Sequence, residues 1–484
     1  MPFRIKSLFL ENIGFKQTIL KNTFWLSLAE LIARLTGLVL AIYMARILGA
    51  SGYGQFTFAF SFVSLVAIFL DLGIIDTSIR EFSRSRENER KISEIFTLEI
   101  FLCIATLFIA TVASFFITGS PLIRKTIFIL TFFIISNSLM GIIFALLRAR
   151  QRMEYESVIR IFQALLSLVL VLLVLFIVPS VVNLSYAYLI SNLLVLVIIL
   201  ALFHFYFQPI KIIWNKNIFL ILKKSWPLSF GFIAAWLYVY IDSVMLGSFN
   251  LIAENGWYSA ASKIAIAAMI PASLIIRSFY PALSSFFVSS REELQKSWDY
   301  LAESMIFLAV PMAVGGVMLA PKIIGIFYGP SFFPSIFALQ LLIFVTGISF
   351  ITFPYSTALV VADQQKKNFY SIFIGGILNI VLNFILIPKY SLYGAVISTI
   401  VSLVAVFIMT FAFTKKLTPI AVLNKRLFGV VIISVISTFA MYLLIRFLSV
   451  YSINVFIIII SAASAYFLAF SLLASLQKIS SDTF

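Results

Sequence analysis

The sequence predicts an all-α polytopic membrane protein with about 14 transmembrane helices. Of its 484 residues, 62% are hydrophobic and only 11% are charged, whereas a water-soluble domain carries about 25% charged residues. The apolar residues come in runs of about 20, which is the length a helix needs to cross about 30 Å of hydrocarbon. Such runs are too long for the strands of a membrane β-barrel.

Fourteen apolar segments qualify as predicted spans. In chain order their cores cover residues 22–45, 54–79, 93–118, 122–147, 157–178, 184–207, 226–247, 256–280, 299–320, 335–361, 369–387, 392–413, 428–447 and 453–474. Short polar or basic segments separate these cores, as expected for loops at the two membrane surfaces. An even number of crossings places both termini on the same side of the membrane.

The positions of Lys and Arg predict which side that is. The terminal segments and the loops after even-numbered spans hold 26 of the 35 basic residues, and the loops after odd-numbered spans hold six. Because cytoplasmic loops are enriched in Lys and Arg, both termini are predicted to be cytoplasmic. The same scatter argues against nucleic-acid binding as the reason for the net charge of +16, since the basic residues separate apolar runs.

Two pairs of segments resemble each other six spans apart. The stretch ALLRARQRMEYESVIRIF from Ala145 aligns with ALVVADQQKKNFYSIF from Ala358, and RILGASGYGQF from Arg46 resembles VMLGSFNLIAENGWYSA from Val244. Because six crossings preserve orientation, the two halves are predicted to be parallel repeats about an axis along the membrane normal. The predicted domains are an N-lobe of helices 1–6, a C-lobe of helices 7–12, and helices 13–14 with a cytoplasmic tail, over residues 1–212, 213–422 and 423–484.

Charged residues inside the first two spans are candidates for a transport site. A charge at the bilayer centre costs about 2.5–3.5 kcal/mol, so such residues normally face a protein interior or a water-filled cavity. Glu30 and Arg34 are four residues apart in the first span and therefore share one helix face. They are interpreted either as a self-neutralising pair that lets the helix insert or as a pair that lines a cavity. Asp71, in the second span, is expected either to pair with Arg34 or to cap a helix.

The second half of the chain has its own charges inside spans. Asp242 in helix 7 and Lys263 in helix 8 have similar predicted depths, so a pair across the hairpin is expected. Arg277 falls within about 40° of the face of Lys263 if helix 8 is continuous, although an anchor at the inner surface is an alternative. Together with Glu30 and Arg34 these residues sum to +1, which favours an anionic ligand. A diphosphate is well suited, since Arg can donate two hydrogen bonds to its oxygens.

Several motifs resemble one family of exporters. The segments ARILGASGYGQFTFAFSFVSL, DLGIIDTSIREFSR, YIDSVMLGSFNLIAENGWYSAASKIA and IPASLIIRSFYPALSS resemble the lipid-linked oligosaccharide flippases, including O-antigen flippases, of the multidrug/oligosaccharidyl-lipid/polysaccharide exporter superfamily. The resemblance implies two six-helix lobes around a central cavity and alternating access. It also implies that a polyprenyl-diphosphate-linked oligosaccharide, or a dolichyl-linked one in archaea, moves from the inner to the outer leaflet of a bacterial or archaeal cytoplasmic (inner) membrane.

Individual site residues follow from this resemblance. The ARLTG stretch resembles SRVTG of the lipid II flippases, which places Arg34 on a cavity-facing arginine of theirs, whereas Leu40 stands where they carry another arginine. Asp242 corresponds to the acidic residue that often precedes MLG in the flippase family. The predicted substrate-binding residues are Arg34, Lys263 and Arg277, and the predicted coupling or charge-balancing residues are Glu30, Asp71 and Asp242.

The leading functional prediction is a transporter for polysaccharide or glycan biosynthesis that functions as a monomer and is not an enzyme. A cation-coupled multidrug exporter of the same fold and a lipid II flippase are the alternatives. A glycan polymerase or ligase is disfavoured because the predicted outer loops are short and Glu254 is their only acid. Since the sequence has no GxxxxGK[ST] loop, a gradient of H+, Na+ or substrate, or the membrane potential, is expected to drive transport. No cofactor, metal site or catalytic residue is predicted.

Overall fold

The computed structural model describes residues 12, 14–84, 89–206, 212–213, 215, 217–422, 424–451 and 453–481. Within these residues the chain forms α-helices, one 3-10 turn and no β-strand. It divides into two compact units, Met1–Gly256 and Trp257–Phe484. These units reflect how densely the helices pack, whereas the predicted lobes follow from the sequence repeat. The two divisions therefore do not test each other, and the lobe boundaries remain a prediction.

The described residues of the first unit form eight helices and the start of a ninth. In chain order they are α1 (Phe15–Val66), α2 (Ile68–Asp71), α3 (Ile74–Arg84), α4 (Glu89–Ile117), α5 (Pro121–Ala149), α6 (Met153–Ile177), α7 (Val181–Tyr206), α8 (Asn217–Ser248) and α9 (Ile252–Ala268). The α1 helix packs against α5, α6 and α8, and the α4 helix packs against α5 and α8.

In the part of the second unit that the structure describes, α9 continues and seven further helices and a short 3-10 turn follow. They are α10 (Ile270–Ser289), α11 (Arg291–Phe327), η1 (Pro330–Phe332), α12 (Ser335–Val361), α13 (Gln365–Tyr390), α14 (Leu392–Leu417), α15 (Lys425–Ser449) and α16 (Val455–Ser481). The α11 helix packs against α12, α15 and α16.

The helices confirm a polytopic all-α membrane protein. Twelve helical stretches of the described residues are long and apolar enough to cross a membrane. One of them, Gln17–Ser83, is 67 residues long and contains the first two predicted spans. The predicted span 226–247 lies on α8, of which many side chains are outside the described residues.

The α1 helix consists of two limbs that meet at Gly49. This residue has φ 68° and ψ −179°, a non-helical conformation inside the helix. A side chain at this backbone geometry is strongly disfavoured, whereas glycine adopts it readily. The helix therefore kinks between the first and second predicted spans without an intervening loop.

The second predicted span is broken within its length. The α1 helix ends at Val66, α2 makes a single turn, and α3 starts at Ile74. Between α2 and α3, Leu72 and Gly73 have φ values of 34° and 75°, in the left-handed region that ends a right-handed helix. The short α2 and the residues after it contact α4 and α5. An interrupted helix at membrane depth leaves backbone groups that need other partners.

The start of α1 is tied to the turn between α5 and α6 by buried polar contacts. The Lys21 ammonium donates to a Glu154 carboxylate oxygen at 2.9 Å, and the two side chains are 0% and 6% exposed. Asn22 Nδ2 donates to Gln151 Oε1 at 2.8 Å beside this ion pair. Because both charges are removed from solvent, each depends on the other for compensation.

Removing one member of this ion pair is expected to destabilise the protein strongly. Lys21→Ala leaves the Glu154 carboxylate buried without its main cation, which typically costs about 3–5 kcal/mol. A lower thermal unfolding midpoint in detergent measures the effect. The matched control is Lys296→Ala, because Lys296 pairs with Glu292 at 2.8 Å in an exposed i,i+4 pair, and such pairs contribute little. Equal midpoints for the two variants contradict the prediction.

The turns at the start of the repeated segments have the same backbone conformation. Gln151 and Asp363 both have φ 57°. The next residues donate in the same way, Arg152 N to Leu147 O at 2.9 Å and Gln364 N to Leu359 O at 2.8 Å. This supports the repeat at these two turns with a spacing of 212 residues (363 − 151 = 212), one fewer than the sequence alignment from Ala145 and Ala358 implies.

Candidate functional site

The charged residues of the first span form an ion pair. Arg34 Nη2 lies 2.5 Å from Glu30 Oε1, one helical turn away on α1. The two side chains are 37% and 32% exposed, so packing leaves both accessible along one side of the helix. Because a charge in a span is expensive on a lipid-facing surface, an accessible pair at this position favours a water-filled path. The pair fits both interpretations from the sequence, since each charge neutralises the other and remains reachable.

Asp71 caps a helix instead of pairing with Arg34. It is the last residue of α2, and its Oδ1 accepts a hydrogen bond from the Ile75 backbone N–H at 3.0 Å. That N–H belongs to the first turn of α3, where backbone donors have no partner within the helix. Asp71 thus stabilises the break in the second span, which settles the choice left open by the sequence. Its predicted coupling role stays a prediction.

A carboxyl group that the sequence analysis missed lies close to this break. Glu99 is on α4, 2% exposed, and accepts a short hydrogen bond from the Ser138 hydroxyl on α5. Asp71 ends the short α2 helix, which packs against α4. The sequence signal was present, because Glu99 stands in the apolar run FTLEIFLCIATLF. The rule that singled out Glu30 applies equally to Glu99.

The predicted site residues of the seventh and eighth spans belong to the two different compact units. Asp242 is on α8 in the first unit and is 2% exposed. Lys263 on α9 and Arg277 on α10 are both exposed residues of the second unit. The predicted pair of Asp242 with Lys263 therefore stays a prediction, as does the substrate-binding role of the two cations.

The eighth predicted span is not one continuous helix. Helix α9 ends at Ala268 and α10 begins at Ile270, with Met269 between them at φ −81° and ψ −7°. Pro271 follows and lacks the backbone N–H that would continue the helical ladder. The predicted placement of Lys263 and Arg277 on nearly the same helix face assumed a continuous helix, so it does not apply to the observed α9 and α10.

The two repeated glycine-rich segments pack directly on each other. We call this contact the glycine junction and define it by residues 49–58 of α1 and 244–256 of the α8–α9 hairpin. A Cβ added to Gly54 would lie 1.8 Å from the Ile252 carbonyl oxygen, and one added to Gly256 would lie 2.0 Å from the Ala50 carbonyl oxygen. Glycine is needed at both positions because backbone approaches backbone.

A buried amide completes the glycine junction. Asn255, which is 0% exposed, donates from Nδ2 to the Gly54 carbonyl at 2.9 Å and to Thr57 Oγ1 at 3.2 Å. Its Oδ1 accepts from the Ser243 hydroxyl at 2.7 Å. Since Asn255 provides both donors and an acceptor, it links α1 to both sides of the α8–α9 hairpin.

Truncating this amide is expected to weaken the glycine junction. Asn255→Ala removes a partner from the buried Gly54 carbonyl and from the buried Ser243 hydroxyl, which costs about 1–3 kcal/mol. The unfolding midpoint in detergent is expected to fall. Asn183→Ala is the matched control, because the Asn183 amide makes an exposed bond to the Val178 carbonyl at 3.3 Å. An unchanged unfolding midpoint for Asn255→Ala would show that the hydrogen bonds of this amide do not stabilise the glycine junction.

Comparison with known proteins places these features in a family. The family model described as "Polysaccharide biosynthesis protein" matches residues 19–287, more than half of the chain. The chain belongs to this family. The matched region contains Glu30, Arg34, the broken second span and the whole glycine junction.

Individual relatives agree with the family. The chain is 25% identical over 386 residues to "Probable flippase AglR" of Haloferax volcanii, which covers 76% of this chain and 77% of that protein. Among solved structures, the lipid II flippase MurJ in an inward closed conformation matches with TM-score 0.77 and 16% identity over 93% of this chain and 98% of that one. A multidrug resistance MATE family transporter, inward-facing, matches with TM-score 0.64 and 15% identity over 80% and 95%. These structural similarities confirm the fold class.

Proposed function

We propose that this protein is a flippase for a polyprenyl- or dolichyl-diphosphate-linked oligosaccharide. It moves this lipid from the inner to the outer leaflet of the cytoplasmic membrane by alternating access, for polysaccharide or glycan biosynthesis. Both termini lie in the cytoplasm, a single chain is sufficient, and a gradient of H+ or Na+ drives the cycle. The protein is a transporter and makes or breaks no covalent bond in its substrate.

The observation that carries this proposal is the accessible Glu30–Arg34 pair inside the first span of a polysaccharide biosynthesis family member. Arg34 forms an ion pair with Glu30, and more than a third of its side chain remains exposed. A guanidinium with free donors can grip a diphosphate through parallel hydrogen bonds. Glu30 compensates the charge when no substrate is bound, so the arginine remains tolerable in the membrane in both states.

Two further cations extend the site in the proposal. Lys263 and Arg277 are exposed residues of predicted spans, and exposed cations within a membrane also need an aqueous or anionic partner. We assign them to the phosphates or to acidic sugars of the same substrate. Asp242 and Asp71 balance the positive charge between substrate-bound and empty states.

The lipid II and multidrug alternatives make different predictions for substrate. Leu40 occupies the position at which the lipid II flippases carry a second arginine, so weaker binding of lipid II is expected. The three cations assigned to the substrate, Arg34, Lys263 and Arg277, disfavour cationic drugs.

Reconstitution in liposomes tests the proposal. Purified protein is mixed with a fluorescent polyprenyl-diphosphate oligosaccharide, and a membrane-impermeant quencher reports which leaflet holds it. Parallel vesicles contain lipid II or a fluorescent cationic drug. Protein-dependent movement of the lipid-linked oligosaccharide is the expected result. Efflux of the cationic drug without lipid movement would assign the chain to drug export, and preferential movement of lipid II would replace the proposed substrate.

A further inference from the structure

Glu99 is a buried acid inside a membrane-spanning helix. It lies in the stretch Lys91–Ile117, which is long and apolar enough to cross a membrane. Its neighbours Leu98 and Leu102 are 1% and 6% exposed and belong to the hydrophobic core of the first unit. The position therefore combines a titratable group with apolar surroundings and almost no contact with solvent.

The described side chains around Glu99 supply one hydrogen-bond donor and no ion-pair partner. Ser138 donates its hydroxyl to Glu99 Oε1, and no Lys or Arg of the described residues lies within ion-pair distance of the carboxyl group. A buried carboxylate without a cation is costly, and such groups bind a proton instead of remaining ionised. Glu99 contrasts with Glu154 and Glu156, which are equally buried but meet Lys21 and Arg148 at 2.9 Å and 2.7 Å.

The charged groups that face Glu99 add to this tendency. The α2 helix, which packs against α4, contributes Asp71, and α3, which also contacts α4, contributes Asp76. One turn further along α4 lies the buried thiol of Cys103. From α5 the facing group is the Ser138 hydroxyl, and the described side chains of α1 and α8 place no cation against Glu99. Like charges nearby favour the protonated form of a carboxyl group.

The same neighbourhood contains the break in the second span. Asp71 holds the first turn of α3 through the Ile75 N–H and is adjacent to the left-handed residues Leu72 and Gly73. A non-glycine residue such as Leu72 is strained in this region and persists only while its surroundings hold it. A charge that appears on Glu99 repels the Asp71 carboxylate, which is the cap that orients α3.

We propose that Glu99 is the proton-binding site that couples this protein to a proton gradient, and that Asp71 transmits its protonation to the break in the second span. This inference rests on the proposed function, because it names the ion that drives the same transport cycle. The step is a reversible protonation: Glu99–COO⁻ and H+ give Glu99–COOH, with no other bond formed or broken. In the protonated state the carboxyl group keeps the Ser138 bond and Asp71 keeps its cap. In the deprotonated state two carboxylates confront each other and the break rearranges.

Infrared difference spectroscopy tests the proton site without any transport assay. Purified protein at neutral pH is expected to show the C=O stretch of a protonated carboxylic acid in an apolar environment. Glu99→Gln removes this band, and Ser138→Ala shifts its frequency because the carboxyl group loses its hydrogen-bond donor. Glu94→Gln is the matched control, since Glu94 is on the same helix and 4% exposed but accepts from Asn215 Nδ2 at 3.4 Å. The control is expected to retain the band.

A pH gradient across the liposomes tests coupling. For one proton per cycle moving inward as one lipid moves outward, a gradient of one pH unit, acid outside, is expected to shift the leaflet ratio of the lipid-linked oligosaccharide about tenfold. Glu99→Gln is expected to equilibrate the lipid between leaflets but to show no shift with the gradient. Glu94→Gln is expected to respond as the wild type does, and a proton ionophore is expected to abolish the response.

The outcomes separate the two proposals. If the wild type moves the oligosaccharide but neither the leaflet ratio nor the infrared spectrum depends on Glu99, the proton site is wrong and the proposed function stands. If the band depends on Glu99 but the gradient has no effect, the group binds a proton that does not drive transport, and the coupling inference fails. If no oligosaccharide moves at all, the proposed function fails, and the infrared band still decides whether Glu99 holds a proton. A gradient response retained by Glu99→Gln also overturns the inference.

Discussion

Arg34→Ala is expected to abolish transport of a diphosphate-linked oligosaccharide while the protein still inserts and folds. The Arg34 side chain is 37% exposed, so its removal leaves no buried cavity, and Glu30 remains accessible enough to be hydrated or protonated. In the proposed site the guanidinium donates charge-assisted hydrogen bonds to phosphate, each contributing about 1.5–3 kcal/mol. Loss of two such bonds corresponds to a decrease of at least about a hundredfold in the initial rate.

Two further variants make this prediction specific. Arg34→Lys keeps the charge but loses the planar pair of donors, so an intermediate rate is expected. Lys125→Ala, at an exposed cation outside the predicted site, removes one positive charge as well and is expected to transport at the wild-type rate. The rate is measured as protein-dependent quenching of the fluorescent lipid, normalised to the amount of inserted protein. Wild-type transport by Arg34→Ala would exclude this residue from the substrate site.

The sequence could predict the membrane spans because the hydrophobic effect acts on composition. A run of about 20 apolar residues is stable in a bilayer as a helix, because only this conformation satisfies all of its backbone hydrogen bonds internally. Interruptions inside a span are harder to predict. The break at Leu72 and Gly73 lies in LDLGIIDTS, where a glycine and a capping aspartate are the local signals. Met269 precedes Pro271 in a run that remains apolar. Hydropathy is the same on both sides of such a break.

The candidate site was predictable in part for the same reason. The cost of a charge in hydrocarbon singles out Glu30 and Arg34 from the sequence alone, and their spacing correctly predicts an i,i+4 ion pair. Whether a buried acid has a cation nearby depends on neighbouring helices. Glu99 and Glu154 are both buried, but α1 brings Lys21 to Glu154 and the described neighbours bring only Ser138 to Glu99. That difference arises from tertiary packing.

The glycine junction shows what a repeat in sequence leaves undetermined. The similarity between the segments from Arg46 and Val244 indicates related conformations, but it does not indicate that they touch. In the structure the two segments approach so closely that Gly54 and Gly256 each face a backbone carbonyl of the other segment. Such complementarity between segments 200 residues apart follows from the three-dimensional arrangement of α1, α8 and α9, which no local pattern specifies.

Gly54→Ala and Gly256→Ala are expected to disrupt this junction and to stop transport. The added methyl groups would lie 1.8 Å and 2.0 Å from the Ile252 and Ala50 carbonyl oxygens. A backbone obstacle cannot rotate away as a flexible side chain can, so the helices must separate. Overpacking of this kind costs about 3 kcal/mol or more, and separation also lengthens the Asn255 bond to the Gly54 carbonyl. We expect a lower unfolding midpoint in detergent and loss of oligosaccharide movement.

The control for these substitutions is Gly119→Ala, because a Cβ at Gly119 meets no atom within 4 Å and its backbone is not in the left-handed region. This variant is expected to keep both the unfolding midpoint and transport. The two junction variants also report on how the contact is used. If the two segments must separate during the transport cycle, variants that loosen the junction are expected to unfold at a lower temperature but still to transport. If the junction must stay closed in one state of the cycle, the same variants are expected to lose both stability and transport. Wild-type behaviour of both Gly54→Ala and Gly256→Ala would show that the segments are not packed backbone to backbone.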